Sequence, residues 1–287
     1  SSNTICYDMT SFDLMITPSP NIIKPPDLQA CDNDTDGFTI FNLDDQTPIV
    51  LNGQTLDITY YEDEANANDY KGWIVNTSTY PSDSKTIWVR VGVVAGSNCY
   101  ALTSFDIEVL ELAIANTATD LQQCDDNNDG VYEFDLNALK DAEILGAQDP
   151  TTFEINYFAM QAHADANTPI LTQPYENVTP YAIETIWARI QNSSFSECYN
   201  TTSFSLQVFD SAFPLDASEI PILSYCDDLS DGDETNGFYE FDLTERESEI
   251  LDGQSPFVFD VDYYEDALYT IQINNPQTYT NSIQKSQ

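Results

Sequence analysis

The chain has 287 residues, of which 49 are Asp or Glu and 8 are Lys or Arg, so its formal net charge is −41. Such a chain has no basic surface with which to neutralise phosphate groups, which argues against binding to nucleic acids or to an anionic membrane. Hydrophobic residues make up 41% of the chain and aromatic residues 12%, which is enough for packed cores. The sequence contains no run of about 18 apolar residues, so we predict no direct membrane insertion.

The first residues of the chain match the end of a repeat unit. Residues 1–16 hold a Cys-Tyr pair followed by a Thr-Ser-Phe sequence, and the same sequence recurs after Cys99 and Cys198. We therefore predict that residues 1–16 are the closing strand of a preceding repeat, so that the sequence is an excerpt of a longer array. Residues 17–30, which contain four prolines, are predicted to be a linker or the leading edge strand of the next unit.

The first complete repeat is predicted at residues 31–110. It opens on an acidic loop at Cys31-Asp-Asn-Asp-Thr-Asp-Gly-Phe38, and short segments rich in β-branched and aromatic residues follow. The alternation of apolar and polar side chains in these segments predicts half-buried strands. The predicted strands are Phe38 to Leu43, Leu56 to Tyr61, Thr86 to Val91 and Ser104 to Val109.

The same landmarks return in a second repeat and in part of a third. We predict repeat 2 at residues 124–209 and a truncated repeat 3 at residues 226–287, with linkers at residues 111–123 and 210–225. Within repeat 2, residues 137–145 have a helical pattern, and Asn137 is the expected N-cap.

These repeats predict the fold class. Units of about 90 residues that contain many short strands, separated by turns rich in Pro, Asn, Asp and Gly, are typical of the immunoglobulin-like β-sandwich. We therefore predict an all-β protein made of tandem immunoglobulin-like β-sandwich repeats that form an extended array. In such an array each unit contacts mainly its nearest neighbours.

Six cysteines that recur at fixed landmarks indicate disulfides, and hence an oxidising compartment outside the cytoplasm. Two pairing schemes compete, one between cysteines adjacent along the chain and one between the two cysteines of each repeat. The first scheme gives Cys6–Cys31, Cys99–Cys124 and Cys198–Cys226, and the second gives Cys31–Cys99 and Cys124–Cys198.

The topology of a sandwich favours pairing within a repeat. The first and last strands of a seven-stranded sandwich start at the same end, and Cys31 precedes the first predicted strand while Cys99 begins the last. Cys99 and Cys124 would instead lie about one strand length apart, about 33 Å for ten residues and beyond the reach of a disulfide. We therefore expect the second scheme, in which the partners of Cys6 and Cys226 lie beyond the given sequence.

The acidic loops match the first half of a calcium-binding loop, because alternate oxygen-bearing side chains precede a glycine that permits a sharp turn. Leucine stands where the bidentate glutamate of such a loop is expected, and an Asn or Asp one residue earlier is a candidate substitute. The alternative is an Asp-rich turn that is simply solvated. The predicted Ca²⁺ ligands are Asp32, Asp34, Asp36 and Asn42 in repeat 1, Asp125, Asn127, Asp129 and Asp135 in repeat 2, and Asp227, Asp231, Asp233 and Asp242 in repeat 3.

Signs of catalysis are scarce in this sequence. The single histidine, His163, occurs in one of the three repeats, which argues against a Ser/His/Asp site, and no zinc pattern or phosphate-binding glycine loop occurs. We therefore predict no catalytic residues and no enzymatic activity. In the recurring Thr-Ile-Trp-x-Arg strand we expect Trp88 and Trp187 to be core anchors, and Arg90 and Arg189 to form ion pairs with acidic neighbours.

The order of the motifs also resembles that of a known family. The shared landmarks are Cys-Asp-x-Asp/Asn-x-Asp-Gly-Phe, Phe-Asp-Leu, Ile-Leu-x-Gly-Gln, Tyr-Tyr-Glu, Thr-Ile-Trp-x-Arg and Cys-Tyr-x-Thr-Ser-Phe. In this order they resemble the repeat region of the giant, SprB-like cell-surface adhesins of gliding Bacteroidetes, over essentially the whole chain. Repeat 2 departs from the pattern at Gly146-Ala147 and at Phe158-Ala159, and the third acidic loop is longer than the others.

The resemblance implies export by the type IX secretion system, an extracellular location at the outer membrane, and partners in the gliding and secretion machinery. We accordingly expect a structural and adhesive stalk that serves surface attachment and gliding motility, with neighbouring repeats as its immediate partners. Two other functions remain open at this point, namely a β-sandwich module that binds surface polysaccharide and an accessory region of a secreted multidomain enzyme.

Overall fold

A computed structural model describes residues 8–229 and 232–284, so Cys6 and Asp231 lie outside the described residues. The chain divides into two compact units. The first comprises Ser1–Leu121, Glu133–Asn177 and Ile183–Leu206, and the second comprises Gln122–Tyr132, Val178–Ala182 and Gln207–Gln287. Residues 8–27 form no helix or strand. Among the described residues, no helix is long and apolar enough to cross a membrane.

Repeat 1 contains six strands and two short α-helices. The strands are β1 (Leu28–Asp32), β2 (Thr39–Phe41), β3 (Asp57–Tyr61), β4 (Tyr80–Ser82), β5 (Lys85–Gly92) and β6 (Tyr100–Glu111). The α-helices are α1 (Thr47–Leu51) and α2 (Glu64–Asp69), with 3-10 turns at Leu43–Gln46 and Thr77–Thr79. The four strands expected from the sequence correspond to β2, β3, β5 and β6, and β1 is the leading edge strand.

The strands of repeat 1 form two sheets. The larger sheet has the order β1-β6-β5-β3, in which β1 runs parallel to β6 and the other pairs are antiparallel. The smaller sheet is the antiparallel pair β2–β4. Because side chains alternate across a strand, Ile87, Val89 and Val91 of β5 share the buried face of the large sheet. They pack in one core with Phe41 of β2 and Tyr80 of β4.

Repeat 2 follows the same plan. Its strands and helices are β7 (Leu121–Asp125), β8 (Glu133–Phe134), α3 (Leu136–Leu145), β9 (Phe153–Phe158), α4 (Gln161–Ala166), β10 (Tyr175–Glu176), β11 (Glu184–Asn192) and β12 (Phe195–Asp210). The large sheet has the order β7-β12-β11-β9, and β8 pairs with β10. The expected helix is confirmed as α3, but Asp135 rather than Asn137 is its N-cap, since the Asp135 side chain accepts a hydrogen bond from the Ala138 N–H.

Repeat 3 has a smaller set of regular elements in its described part. These are β13 (Glu240–Phe241), α5 (Glu247–Ile250) and β14 (Tyr279–Thr280), with 3-10 turns at Leu243–Arg246 and Pro276–Thr278. Strand β13 pairs with β14, and the rings of Tyr225 and Tyr239 stack beside this pair with centroids 5.0 Å apart. The protein is thus mostly β, with a larger and a smaller sheet in each complete repeat, and the predicted all-β sandwich class is confirmed.

Candidate functional site

One disulfide joins the two complete repeats. Cys31, in β1 of repeat 1, is bonded to Cys198, in β12 of repeat 2, although 167 positions separate the two residues in the sequence. Their Cα atoms are 5.3 Å apart, and Cys198 is fully buried. The bond therefore couples neighbouring repeats rather than the two ends of one repeat.

The expected pairings Cys31–Cys99 and Cys124–Cys198 are wrong. Cys31 lies in the first strand rather than before it, and its partner in the sheet register is Leu110, at the far end of β6 from Cys99. Ten residues of strand separate those two ends by about 33 Å, which no disulfide can span. Cys99, Cys124 and Cys226 have no disulfide partner among the described residues, so the alternative scheme of adjacent cysteines is not observed either.

Other contacts lie where repeat 1 meets repeat 2. The side-chain amide of Asn192 donates a hydrogen bond to the carbonyl of Glu111, at 3.2 Å. A cleft at this junction is lined by Asp32 and Gly37 of the first acidic loop and by Asp149 and Phe153 of repeat 2. The disulfide, the acidic loop and the start of β9 thus belong to one junction.

Two buried arginines hold the segments that carry the second cysteine of each repeat. Arg90 is 3% exposed and Arg189 is 2% exposed, and neither forms an ion pair within the described part of the chain, so the expectation of acidic partners is wrong. The Arg90 guanidinium instead donates to the carbonyls of Ala67 and Asn68, at 2.8 and 2.7 Å, at the end of α2. Trp88 and Trp187, which we expected to be core anchors, are only half-buried.

The first acidic loop is closed by the carboxylate of Asp32. Its Oδ1 accepts hydrogen bonds from the N–H groups of Asp34 (3.2 Å) and Thr35 (2.7 Å), and its Oδ2 accepts one from Gly37 (2.8 Å). The Gly37 N–H, followed by the other two, lowers the pKa of Asp32. The carboxylates of Asp32, Asp34 and Asp36 offer oxygen atoms that all lie within 4.8 Å of one another, and the negative charge of Asp36 raises the pKa of Asp34.

The second loop repeats this closure. The Asp125 carboxylate accepts hydrogen bonds from the N–H groups of Asn127 (3.2 Å) and Gly130 (2.5 Å). Burial raises the pKa of Asp125, but these N–H groups outweigh burial and the pKa is lowered. The Asn127 amide also donates to Asp129 at 3.0 Å, so three of the four predicted ligands of repeat 2 lie together.

The third acidic loop is closed by Asp227, as the first two are closed by Asp32 and Asp125. In repeat 3, Asp227 accepts a hydrogen bond from the Gly237 N–H at 2.6 Å, across the longer loop, and Asp233 accepts one from Thr235. Within the described ranges, only the first loop brings three carboxylate, thiol or imidazole side chains together.

The Asn and Asp residues that follow β2, β8 and β13 stand at helix N-caps. Asp135 caps α3, Asp242 accepts a hydrogen bond from the Thr244 N–H at the start of a 3-10 turn, and Asn42 donates to Asp45 at the corresponding position. An Asn or Asp just before a helix is a capping signal that the sequence already carries.

Comparison with known families gives a match along most of the chain. A family described as the Flavobacterium inter-domain disulphide bond domain matches residues 27–113, 120–213 and 222–287. A comparison with curated proteins finds no match.

Several solved structures of tandem domains are distantly similar. A three-domain I-band fragment of titin is 10% identical, with a TM-score of 0.27, over 67% of this chain and 66% of that fragment. The human desmocollin-1 ectodomain is 15% identical, with a TM-score of 0.21, over 71% and 39%. The tandem immunoglobulin repeats of Dlar, a Drosophila receptor phosphatase, are 11% identical, with a TM-score of 0.20, over 66% and 97%.

The chain spans less than two thirds of the length of the first solved structures that it matches. At such TM-scores the similarities carry no conclusion about function.

Proposed function

The chain belongs to the family of Flavobacterium inter-domain disulphide bond domains, and from that premise we propose that it is a structural stalk of a secreted cell-surface adhesin. The stalk serves surface attachment and gliding, is exported by the type IX secretion system and works with the gliding machinery. Its units are the repeats at residues 31–110, 124–209 and 226–287. The observation that carries the proposal is the Cys31–Cys198 bond between neighbouring repeats.

A bond of this kind stiffens an array at its weakest point. The junction between two β-sandwiches is normally a small, hinged interface, and a covalent link across it removes that freedom. In the chain-entropy picture, closing a loop of 167 residues stabilises the folded state by about 5 kcal/mol. Because the loop spans both repeats, the two units share this stabilisation.

The proposal is tested in cells that display the protein. Removing residues 27–287 in frame should abolish surface attachment and spreading, while an epitope tag at the new junction remains accessible to antibody on intact cells. The double substitution Cys31→Ser and Cys198→Ser should weaken attachment under flow and leave the display unchanged. Normal attachment of cells that carry the deletion would contradict the adhesive role.

The other cysteines support a continuing series of bonds. Cys124 occupies in repeat 2 the position of Cys31, and Cys99 occupies in repeat 1 the position of Cys198. We propose that each is bonded to a neighbouring repeat in the native protein. Peptide mapping without reduction, on protein taken from cells, should find Cys99 and Cys124 in disulfides with other peptides, whereas two free thiols would contradict this.

Calcium at the acidic loops is a further part of the proposal. The donor set suits a hard cation, because Asp32, Asp34 and Asp36 supply carboxylate oxygens within 4.8 Å of one another. The three hydrogen bonds that the Asp32 carboxylate accepts leave about one of its four lone pairs available for coordination. Bound calcium would also offset part of the negative charge of the junction.

A chelator should therefore lower the melting temperature at low ionic strength. The matched variant, with Asp32, Asp34 and Asp36 each replaced by Asn, should melt at a temperature that the chelator shifts less. An unchanged melt of the parent protein, together with no calcium in elemental analysis, would leave the loops as solvated turns.

One surface favours the polysaccharide-binding alternative. Trp73 is 46% exposed, and its ring lies 5.4 Å from that of Tyr70, tilted by 35°. Exposed aromatic faces of this kind can stack on sugar rings. Binding of the full chain to a glycan array, lost on Trp73→Ala, would support this function over a purely structural one.

A further inference from the structure

The arginine of the Thr-Ile-Trp-x-Arg strand lies against the segment that carries the bonded cysteine. Arg189 of β11 donates from Nη2 to the carbonyl of Ser196, two residues before Cys198. Its guanidinium carbon is 3.4 Å from the ring centroid of Tyr199, the residue after Cys198. Arg189 therefore contacts the chain on both sides of the cysteine.

The same guanidinium is fixed on its other edge. Nη1 donates to the carbonyls of Ala164, at 2.9 Å, and Asp165, at 3.1 Å, where α4 ends. Nε donates to the side chain of Gln191 at 2.6 Å. A planar group bound in this way can move little, so it holds residues 196–199 at a fixed distance from β11 and α4.

Repeat 1 contains the same arrangement around a cysteine that has no disulfide partner among the described residues. Arg90 donates to the carbonyl of Ser97 at 2.6 Å, and its guanidinium carbon is 3.6 Å from the ring centroid of Tyr100, so these contacts flank Cys99. Since the contacts are present whether or not the cysteine is bonded, they do not depend on the disulfide.

We propose that Arg189 is a positioning residue for the inter-repeat disulfide, which presets the Cys198 thiol for reaction with the Cys31 thiol. A thiol whose backbone is already fixed has a higher effective concentration toward its partner, and this favours the disulfide. In the exchange with oxidised glutathione, the two cysteines give up two electrons and two protons. One protein disulfide and two glutathione thiols form.

Lysine cannot replace arginine in this role. Its ammonium is a point charge without the planar fork, so it cannot contact Ser196, Ala164 and the face of Tyr199 together. Arg189→Lys therefore keeps the positive charge and removes the simultaneous contacts with these three residues. Arg90→Lys is a matched control, because it makes the same change around Cys99, which takes no part in the Cys31–Cys198 bond.

The test is a glutathione redox titration of the full chain. Cys31 and Cys198 are left as its only thiols by replacing the other four cysteines with serine. Arg189→Lys should lower the equilibrium constant for disulfide formation about tenfold, which corresponds to a reduction potential about 30 mV higher. Arg90→Lys should leave the constant within about twofold of the parent value.

An unchanged constant for Arg189→Lys, or an equal fall for Arg90→Lys, would overturn the proposal. Melting curves of the reduced proteins show whether each variant folds. If Arg189→Lys does not fold when reduced, Tyr199→Leu decides the matter, with Tyr100→Leu as its control and the same expected results. If Tyr199→Leu also fails to fold when reduced, the arrangement supports the repeat itself, and the proposal is overturned.

This inference deepens the proposed function, since it concerns the same bond. The titration measures one equilibrium in purified protein, whereas the stalk is tested by attachment of cells. A negative titration therefore leaves the stalk standing, and cells that attach normally without these repeats leave the role of Arg189 standing.

Discussion

At the scale of single residues, the acidic loops depend on backbone geometry as much as on charge. Gly37 and Gly130 both have positive φ angles, of 84° and 79°, a region that side chains with a Cβ rarely occupy. The surroundings of the two glycines differ. A Cβ on Gly37 would meet nothing within 4 Å, whereas one on Gly130 would lie 2.7 Å from Pro180 and from the ring of Tyr181.

We expect Gly130→Ala to destabilise the protein more than Gly37→Ala. Both substitutions place alanine in the left-handed region, at a cost of about 1–2 kcal/mol. Gly130→Ala adds a steric cost of about 1–3 kcal/mol, since an aromatic ring and a proline must move. Urea denaturation of the two variants, monitored by circular dichroism, measures the difference, and equal midpoints would contradict the expectation.

At the scale of secondary-structure elements, Asp135 illustrates how one residue type allows two interpretations. The sequence places it where a calcium ligand is expected, and the structure places its carboxylate on the Ala138 N–H at the start of α3. Asp135→Ala should therefore lower the free energy of unfolding by about 1 kcal/mol. Asn137→Ala, the control on the first turn of the same helix, should change it little.

Calcium titration calorimetry on Asp135→Ala separates the two roles of this residue. If Asp135 acts only as a cap, the affinity and the number of bound ions are the same as in the parent protein. A loss of one binding site would instead show that Asp135 is a ligand.

The long strands could be predicted from the sequence, because alternation over six or more residues is a strong signal in β5 and β6. The helix α1 could not, since Thr47, Ile49 and Val50 are β-branched and favour strands. A proline in its first turn and a left-handed Asn52 at its end nevertheless make it a helix. The acidic loops could likewise be predicted from the sequence, because their residues are neighbours in the chain.

The disulfide could not be predicted for a different reason. The pairing depends on which strand contains Cys31 and on how one repeat meets the next, and neither is encoded in local periodicity. Strand β1 begins at Leu28, inside the proline-rich segment 17–30, and continues through Cys31 to Asp32, whereas the sequence pattern places Cys31 before the first strand. Repetition alone cannot show whether equivalent cysteines pair within a unit or between units.

At the scale of the whole molecule, the bond makes the stability of one repeat depend on the other. Cys198→Ser should lower the free energy of unfolding by up to about 5 kcal/mol, the loop-closure contribution of 167 residues. In the 287-residue chain, Cys124→Ser is the matched control and should have little effect, because Cys124 is exposed and has no disulfide partner among the described residues. Thermal melts without reductant measure both, and an equal effect of the two substitutions would contradict a special role of the bond.

The position of the disulfide also determines how tension would travel along the chain. Cys31 stands near the start of repeat 1 and Cys198 near the end of repeat 2, so a pull on the two termini passes directly from one sulfur to the other. The 167 residues of sequence between them, with a fully extended length of roughly 550–600 Å, would carry no tension. When the chain is stretched in an optical trap, the extension that these residues contribute should be observed only after a reductant is added. The covalent bond would thus shield the two folded repeats from the applied force.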